Sequence, residues 1–167
     1  MLYINSIMIK TETFTAQLSN NNPDSGTKTY ATFRLNIPNK RASGYEKITM
    51  YVDAFNADVF SLSTTGILVQ AKGIYQKNSL STITKGSCIT IAQCSRPLYR
   101  NASNVLIESQ DDIEFYGPNT PIEITGIPEE ITINLTNING ALELNLDTNN
   151  NFYHIKLRFV CEYTIYE

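Results

Sequence analysis

The chain has 167 residues, a formal net charge of -3 and 17% charged residues, against roughly 25% in an average soluble domain. That length can bury the core of one domain without disulfide reinforcement. The mild acidity and scattered Lys and Arg exclude the concentrated basic footprint of a nucleic-acid-binding protein.

Asn, Thr and Ser carry the polarity instead. Two readings stand level: a neutral amide-and-hydroxyl surface that is easily buried against a partner, or an AT-rich coding sequence. No apolar run approaches the roughly 20 residues of a spanning helix, so membrane insertion is not expected. MLYINSIMIK lacks a basic start and is interrupted by Asn5 and Ser6, so a signal peptide is not expected either.

In chain order, LYINSIMI is strand-like and Phe14 to Leu18 continues the pattern. NNNPDSG then reads as a turn. In KTYATFRLNI, Ala31, Phe33, Leu35 and Ile37 face one way, and Lys28, Thr32, Arg34 and Asn36 the other. PNKRASG breaks the chain again. In EKITMYVDAF, Ile48, Met50 and Val52 alternate with Lys47, Thr49, Tyr51 and Asp53. A helical turn or two is expected around Asp53 to Phe60, and only there.

Less regular strand runs follow at Ile67 to Tyr75, Cys88 to Cys94, Val105 to Glu108 and Ile113 to Tyr116. The turn signals YGPNTP and TGIPEE come next. EITINLT sets Ile131, Ile133 and Leu135 against Glu130, Thr132, Asn134 and Thr136. Asn139-Gly140 suits a tight hairpin. ALELNLD sets Leu142, Leu144 and Leu146 against Glu143, Asn145 and Asp147. After DTNNN comes the most regular segment, in which Tyr153, Ile155, Leu157, Phe159, Cys161, Tyr163 and Ile165 alternate with mostly polar partners.

Period-2 alternation with Gly/Pro/Asn/Asp turns is the signature of half-buried antiparallel strands. Eight to ten short strands over residues 1–167 predict a single all-β domain, an antiparallel β-sandwich, with a single jelly roll as the expected form. In that form the first and last strands lie side by side in one sheet. The segment Tyr153 to Ile165 is then a central strand, with Lys156, Arg158 and Glu162 facing out.

Cys88 and Cys94 stand an even number of residues apart. If extended, they share a face about 20 Å apart at roughly 3.3 Å per residue, too far for a bridge that needs Cα atoms within about 7 Å. Cys161 lies on the apolar parity and could meet one of them across the core. The expectation is three buried, reduced thiols.

The sequence offers no catalytic set. His154 is the only histidine, placed by parity on the polar face, and no G-x-S-x-G nucleophile elbow accompanies it. Asp111, Asp112 and Glu114, like Glu129 and Glu130, flank turns where solvated acids are ordinary. A glycosidase pair or a calcium site at the first cluster is the lesser reading. Asp147, Asn149 and Asn151 open like a calcium loop, but the positions that need Gly and Glu hold Phe152 and Arg158. No catalytic, cofactor or metal residue is assigned. The triplets at Asn101 and Asn134 match glycosylation acceptors but are common by chance in so Asn-rich a chain. Tyr30 and Tyr51 fall on the polar parity, as do Phe55 and Tyr166 by extension, and exposed Tyr is enriched in interfaces.

The strand alternation, the Asn-rich hairpins NING and DTNNN and the closing strand FYHIKLRFVCEYTIYE together resemble the small single-jelly-roll minor capsid proteins of large icosahedral DNA viruses. The resemblance covers nearly the whole chain but is architectural, so no functional residue is carried over. It implies a non-enzymatic virion protein, assembled in the host cytoplasm, with other capsid proteins or copies of itself as partners. The loops NNNPDSG, PNKRASG and YGPNTP are the expected contact points. The alternative is a carbohydrate- or receptor-binding sandwich, which a concave sheet face lined by Tyr with Asn and Asp would favour. A hydrolase, which would need a cleft with facing carboxylates, ranks below both.

Overall fold

The computed structural model describes residues 7–37, 44–58, 66–77, 88–95, 98–100, 106–108, 114–116, 121–137, 144–147 and 152–166. Their regular structure is all strand: β1 (Ile7–Ser19), β2 (Ser25–Gly26), β3 (Ala31–Arg34), β4 (Lys47–Asp58), β5 (Gly66–Lys72), β6 (Ile89–Ser95), β7 (Leu98–Arg100), β8 (Leu106–Glu108), β9 (Glu114–Tyr116), β10 (Ile122–Ile124), β11 (Glu130–Asn137) and β12 (Phe152–Tyr166). A four-stranded antiparallel sheet runs β1-β12-β4-β10, and a six-stranded one runs β2-β3-β11-β5-β6-β9. β7 and β8 pair separately. The two larger sheets share one apolar core, which makes the chain an all-β sandwich.

β12 lies between β1 and β4, as its regular alternation predicts. Its ladder to β1 runs from Ile7 opposite Tyr166 to Ser19 opposite His154. On the other flank, Phe152 opposes Asp58 and Glu162 opposes Lys47. Tyr153, Ile155, Leu157, Phe159 and Cys161 are buried, while Lys156, Arg158 and Glu162 are half-buried on the outer face. A strand that is paired on both edges and packed on one face can sustain that pattern over its full length. Each fully buried Leu, Ile or Phe contributes about 1.5–3 kcal/mol by leaving water.

Two bulges revise the reading of the sequence. The β4–β12 ladder shifts between Lys156 and Leu157, where Ala54 opposes Lys156 and Val52 opposes Leu157. Asp53 is therefore an extra residue in β4. A bulge of this kind reverses which parity points inward beyond it. Ile48, Met50 and Val52 are buried before it, and Phe55 after it, at 4% exposure. Phe55, expected on the exposed parity, is a core residue instead. It stacks on Tyr153 with ring centroids 6.2 Å apart. The helical turn expected from Asp53 is also absent as far as Asp58, where the chain remains strand; Val59 and Phe60 lie outside the described residues.

The second bulge falls between Val69 and Gln70, where Ala92 opposes Val69 and Thr90 opposes Gln70. Ile91 is the extra residue, and it separates the parity of Cys88 from that of Cys94. Cys94 and Cys161 are buried, but Cys88 is exposed. The expected set of three buried thiols is reduced to two. All three are free.

Three further differences are local. β10 sits between two turn signals and was not anticipated, nor was the three-residue β7. Leu144 and Leu146 are buried, as ALELNLD predicts, but residues 144–147 are not strand. There the Leu144 N–H bonds to the Leu135 carbonyl and the Leu146 N–H to Thr29 Oγ1. A side chain thus replaces part of the ladder. The Asn139-Gly140 hairpin and Leu142 lie outside the described residues.

Gly73 ends β5 at φ 96°, and a Cβ there would stand 2.7 Å from the Glu130 carbonyl oxygen. Only glycine meets both conditions without strain.

Candidate functional site

Among the described residues, the outer face of the four-stranded sheet groups several polar and charged side chains. Alternation along β12 places His154, Lys156 and Arg158 on this face in sequence. β1 sets Ser19 opposite His154 and Gln17 opposite Lys156. From β4, Asn56 opposes His154, Ala54 opposes Lys156 and Tyr51 opposes Arg158. A hollow of about 330 Å³ lies over this junction, and Gln17, Ser19, Ala54, Asn56, His154 and Lys156 are among the residues that line it.

The Asp53 bulge shapes the electrostatics. It delivers the Asp53 carboxylate to Arg158, whose Nε lies 3.0 and 3.1 Å from its two oxygens. That hydrogen bond raises the guanidinium's already high pKa. The same guanidinium lies 4.2 Å above the Tyr51 ring, a cation–π contact. Arg158 is thereby neutralised and held in place. Lys156 and His154 have no acid beside them among the described residues that line the hollow. His154 meets the half-exposed Phe152 ring edge-on at 5.8 Å. Amides, a hydroxyl, an ammonium and an aromatic edge can hydrogen-bond and orient a polar, hydroxyl-rich ligand.

A second polar cluster lies at the loops. Asp147 accepts hydrogen bonds from the Lys28 N–H at 2.8 Å and from Thr29 Oγ1 at 2.7 Å. The Thr29 bond, joined by the others, holds the carboxyl below its ordinary pKa. Asp147, weighed as the first ligand of a calcium loop, ties the 27–30 turn to the 144–147 segment. Tyr30 borders this cluster at 43% exposure. Tyr51 is half-buried beneath Arg158 on the other sheet. The two tyrosines singled out together by the sequence are therefore not neighbours in one site.

The remaining candidates fall apart in the same way. Glu130 pairs with Arg34 at 3.2 Å, both exposed, and the Glu129 carbonyl takes the Leu35 N–H. Asp111 and Asp112 lie outside the described residues, as does Asn101. Asn134 is 3% exposed and bonded to Gln70, so the folded chain does not present it as a glycosylation acceptor. In NNNPDSG, Asn20 is buried and Asp24 Oδ2 accepts the Arg34 N–H at 2.7 Å, leaving Asn21 and Asn22 exposed at the rim. PNKRASG from Pro38 to Ser43, and the centre of YGPNTP, lie outside the described residues.

Sequence reasoning missed Asn20 altogether. Its Oδ1 accepts the Tyr153 N–H at 2.7 Å and its Nδ2 donates to the Lys28 carbonyl at 3.1 Å. This buried amide joins the end of β1 to the start of β12 and to the 27–30 turn. Nothing local distinguishes it from Asn21 and Asn22.

Compared with protein-family models, curated proteins and solved structures, the chain matches none of them.

Proposed function

We propose that this chain is a non-enzymatic structural protein of a virion shell, a minor capsid component that contacts neighbouring shell proteins. The observation that carries the reading is the strand order. β1-β12-β4-β10 shares a core with β2-β3-β11-β5-β6-β9, and β1 pairs with β12; that pairing supports the jelly-roll form of the sandwich. The step from that arrangement to a shell is an analogy of fold, since sandwiches serve many functions.

A second feature supports a role in assembly. β1 and β12 extend together past Lys47, the first residue of β4. Ile7 and Ile9 on this extension are each 68% exposed, and Tyr166 is 72% exposed. Clustered apolar exposure of this kind marks contact surfaces. The proposed place of action is the virion, after assembly in the host cytoplasm.

The test is made on purified particles. Mass spectrometry should find the chain at a fixed ratio to the major shell protein, and a density map should place the sandwich at symmetry-related positions. Absence from the particles overturns the reading.

The hollow at Gln17, Asn56, His154 and Lys156 favours the second reading, a glycan-binding sandwich. Its signature is saturable glycan binding by the isolated chain that Asn56→Ala or Lys156→Ala abolishes.

A further inference from the structure

β1 is the outermost strand of its sheet, paired with β12 on one side only among the described residues. It has thirteen residues and contains no proline. Edge strands of such length present a row of backbone donors and acceptors ready for another strand, and proteins usually blunt them with charge, proline or bulges. The charges here are Lys10 and Glu12, two positions apart on one face, with Met8 and Phe14 flanking them. That face is the one on which Phe14 opposes Phe159 and Glu12 opposes Cys161. Among the described residues Lys10 forms no ion pair. Glu12 accepts one hydrogen bond among the same described residues, from the Tyr45 hydroxyl to Oε2 at 2.7 Å, which leaves Oε1 for a cation on a neighbouring strand.

From this pattern we infer that the edge of β1 pairs antiparallel with β1 of a second copy, about a two-fold axis at Thr11. In this register Lys10 stands opposite Glu12 of the second copy, and Glu12 opposite its Lys10. Met8 stands opposite Phe14 on the same face, Ile9 opposite Thr13 and Ile7 opposite Thr15 on the other. Exposed Ile7, Met8 and Ile9 all gain cross-strand neighbours, along about 30 Å of paired edge.

The charges also reject the neighbouring registers. Sliding the strands by two residues one way sets Lys10 against Lys10; the other way sets Glu12 against Glu12. A slide by one residue mismatches the faces. Like charges directly opposite are destabilising, so the same two residues that guard the edge against arbitrary strands admit one partner in one alignment. The product is a continuous eight-stranded sheet, β10-β4-β12-β1 followed by its two-fold copy. This dimer does not depend on the shell reading: it can form if the chain is absent from particles, and fail if the chain is present.

The experiment follows the full chain by sedimentation velocity across a concentration series. A concentration-dependent dimer is expected. Lys10→Glu should weaken it roughly tenfold or more, because two attractive cross-strand pairs become repulsive. Glu12→Lys should do the same, and an equimolar mixture of the two variants should restore dimer, since each copy then supplies what the other lacks. In a Cys88→Ser background, Thr11→Cys should give an intermolecular disulfide on mild oxidation, because directly opposed strand residues meet bridging geometry. Thr15→Cys should not, and adding Lys10→Glu should suppress the Thr11→Cys product even if Glu12→Lys proves unable to fold without its Tyr45 bond. A monomer at every concentration with no Thr11→Cys crosslink overturns the inference. So does a dimer indifferent to Lys10→Glu, or a strand of another protein occupying this edge in an assembled particle.

Discussion

Replacing Asn20 with Ala should cost far more than its place in a run of three asparagines suggests. The side chain is fully buried and serves Tyr153 and Lys28 at once. Removing Oδ1 leaves the Tyr153 N–H without its acceptor in a position water does not reach, at about 1–3 kcal/mol. Removing Nδ2 leaves the Lys28 carbonyl, which lies at a half-exposed turn and can turn to water, for about 0.5 kcal/mol more. The expected loss is about 1.5–3.5 kcal/mol, a large part of the roughly 5–15 kcal/mol that holds such a domain folded. In urea, followed by far-UV circular dichroism, that moves the midpoint down by about 0.8–1.8 M with an m-value near 2 kcal/mol/M. Thr13→Ala, on the exposed face of β1, is the control, expected within about 0.5 kcal/mol of the parent. An Asn20→Ala variant indistinguishable from that control would refute the buried-amide account.

Deleting Asp53 should abolish cooperative unfolding, because closing the bulge turns one side of β4 over and removes either Phe55 or Met50 from the core, a loss of at least about 3–5 kcal/mol. Asp53→Ala keeps the extra residue and should cost about 1 kcal/mol or less, as an outward-facing ion pair does; equal effects in thermal melts would count against the parity argument. Thiol titration of the denatured, unreduced chain should recover three groups. In the native chain Cys88 should react fast at pH 8, and Cys94 and Cys161 only on unfolding. Burial pushes the Cys94 thiol up to about 12, and burial with the nearby Glu12 carboxylate pushes Cys161 up to about 11. In the unfolded chain both ionise near 9. Their contribution is therefore intact below pH 9 and lost as pH rises towards 11–12, which urea midpoints at pH 8 and 10 will register as a fall. Tyr153→Phe should cost about 0.5–1.5 kcal/mol in the same assay, since it removes one long bond to the Ile133 carbonyl (3.4 Å) and little packing.

The sandwich was legible because burial imposes a period of two, and that period survives without interruption in β3 and in β12 from Tyr153 to Cys161. It failed where a bulge inserted one residue. At Asp53 and Ile91 nothing in the text marks the irregularity, since neither segment carries the glycine that sometimes accompanies a bulge. The broken alternation after Asp53 then imitated a helical turn, sent Phe55 to the surface and, in β6, placed Cys88 with Cys94. Asn20 and Asp147 were unreadable for a different reason. Turn residues are polar whether they face water or a backbone donor brought from elsewhere in the chain, and only the assembled fold tells the two apart. The hollow draws on β1, β4 and β12, so its members share no local spacing that a reader could recognise.

The position of β12 has a consequence for the order in which the molecule can be made. As the chain is synthesised, β1, β4 and β10 exist long before the strand that joins β1 to β4. Until β12 emerges, the four-stranded sheet lacks its second member, and the facing core residues of β11, β5 and β3 have no complete lid. Contacts between segments so far apart in sequence form slowly, because closing the intervening loop must precede any gain from pairing. During that interval two long strand edges and half a core are open to other chains. A nascent chain of this topology should depend on holding factors until β12 docks.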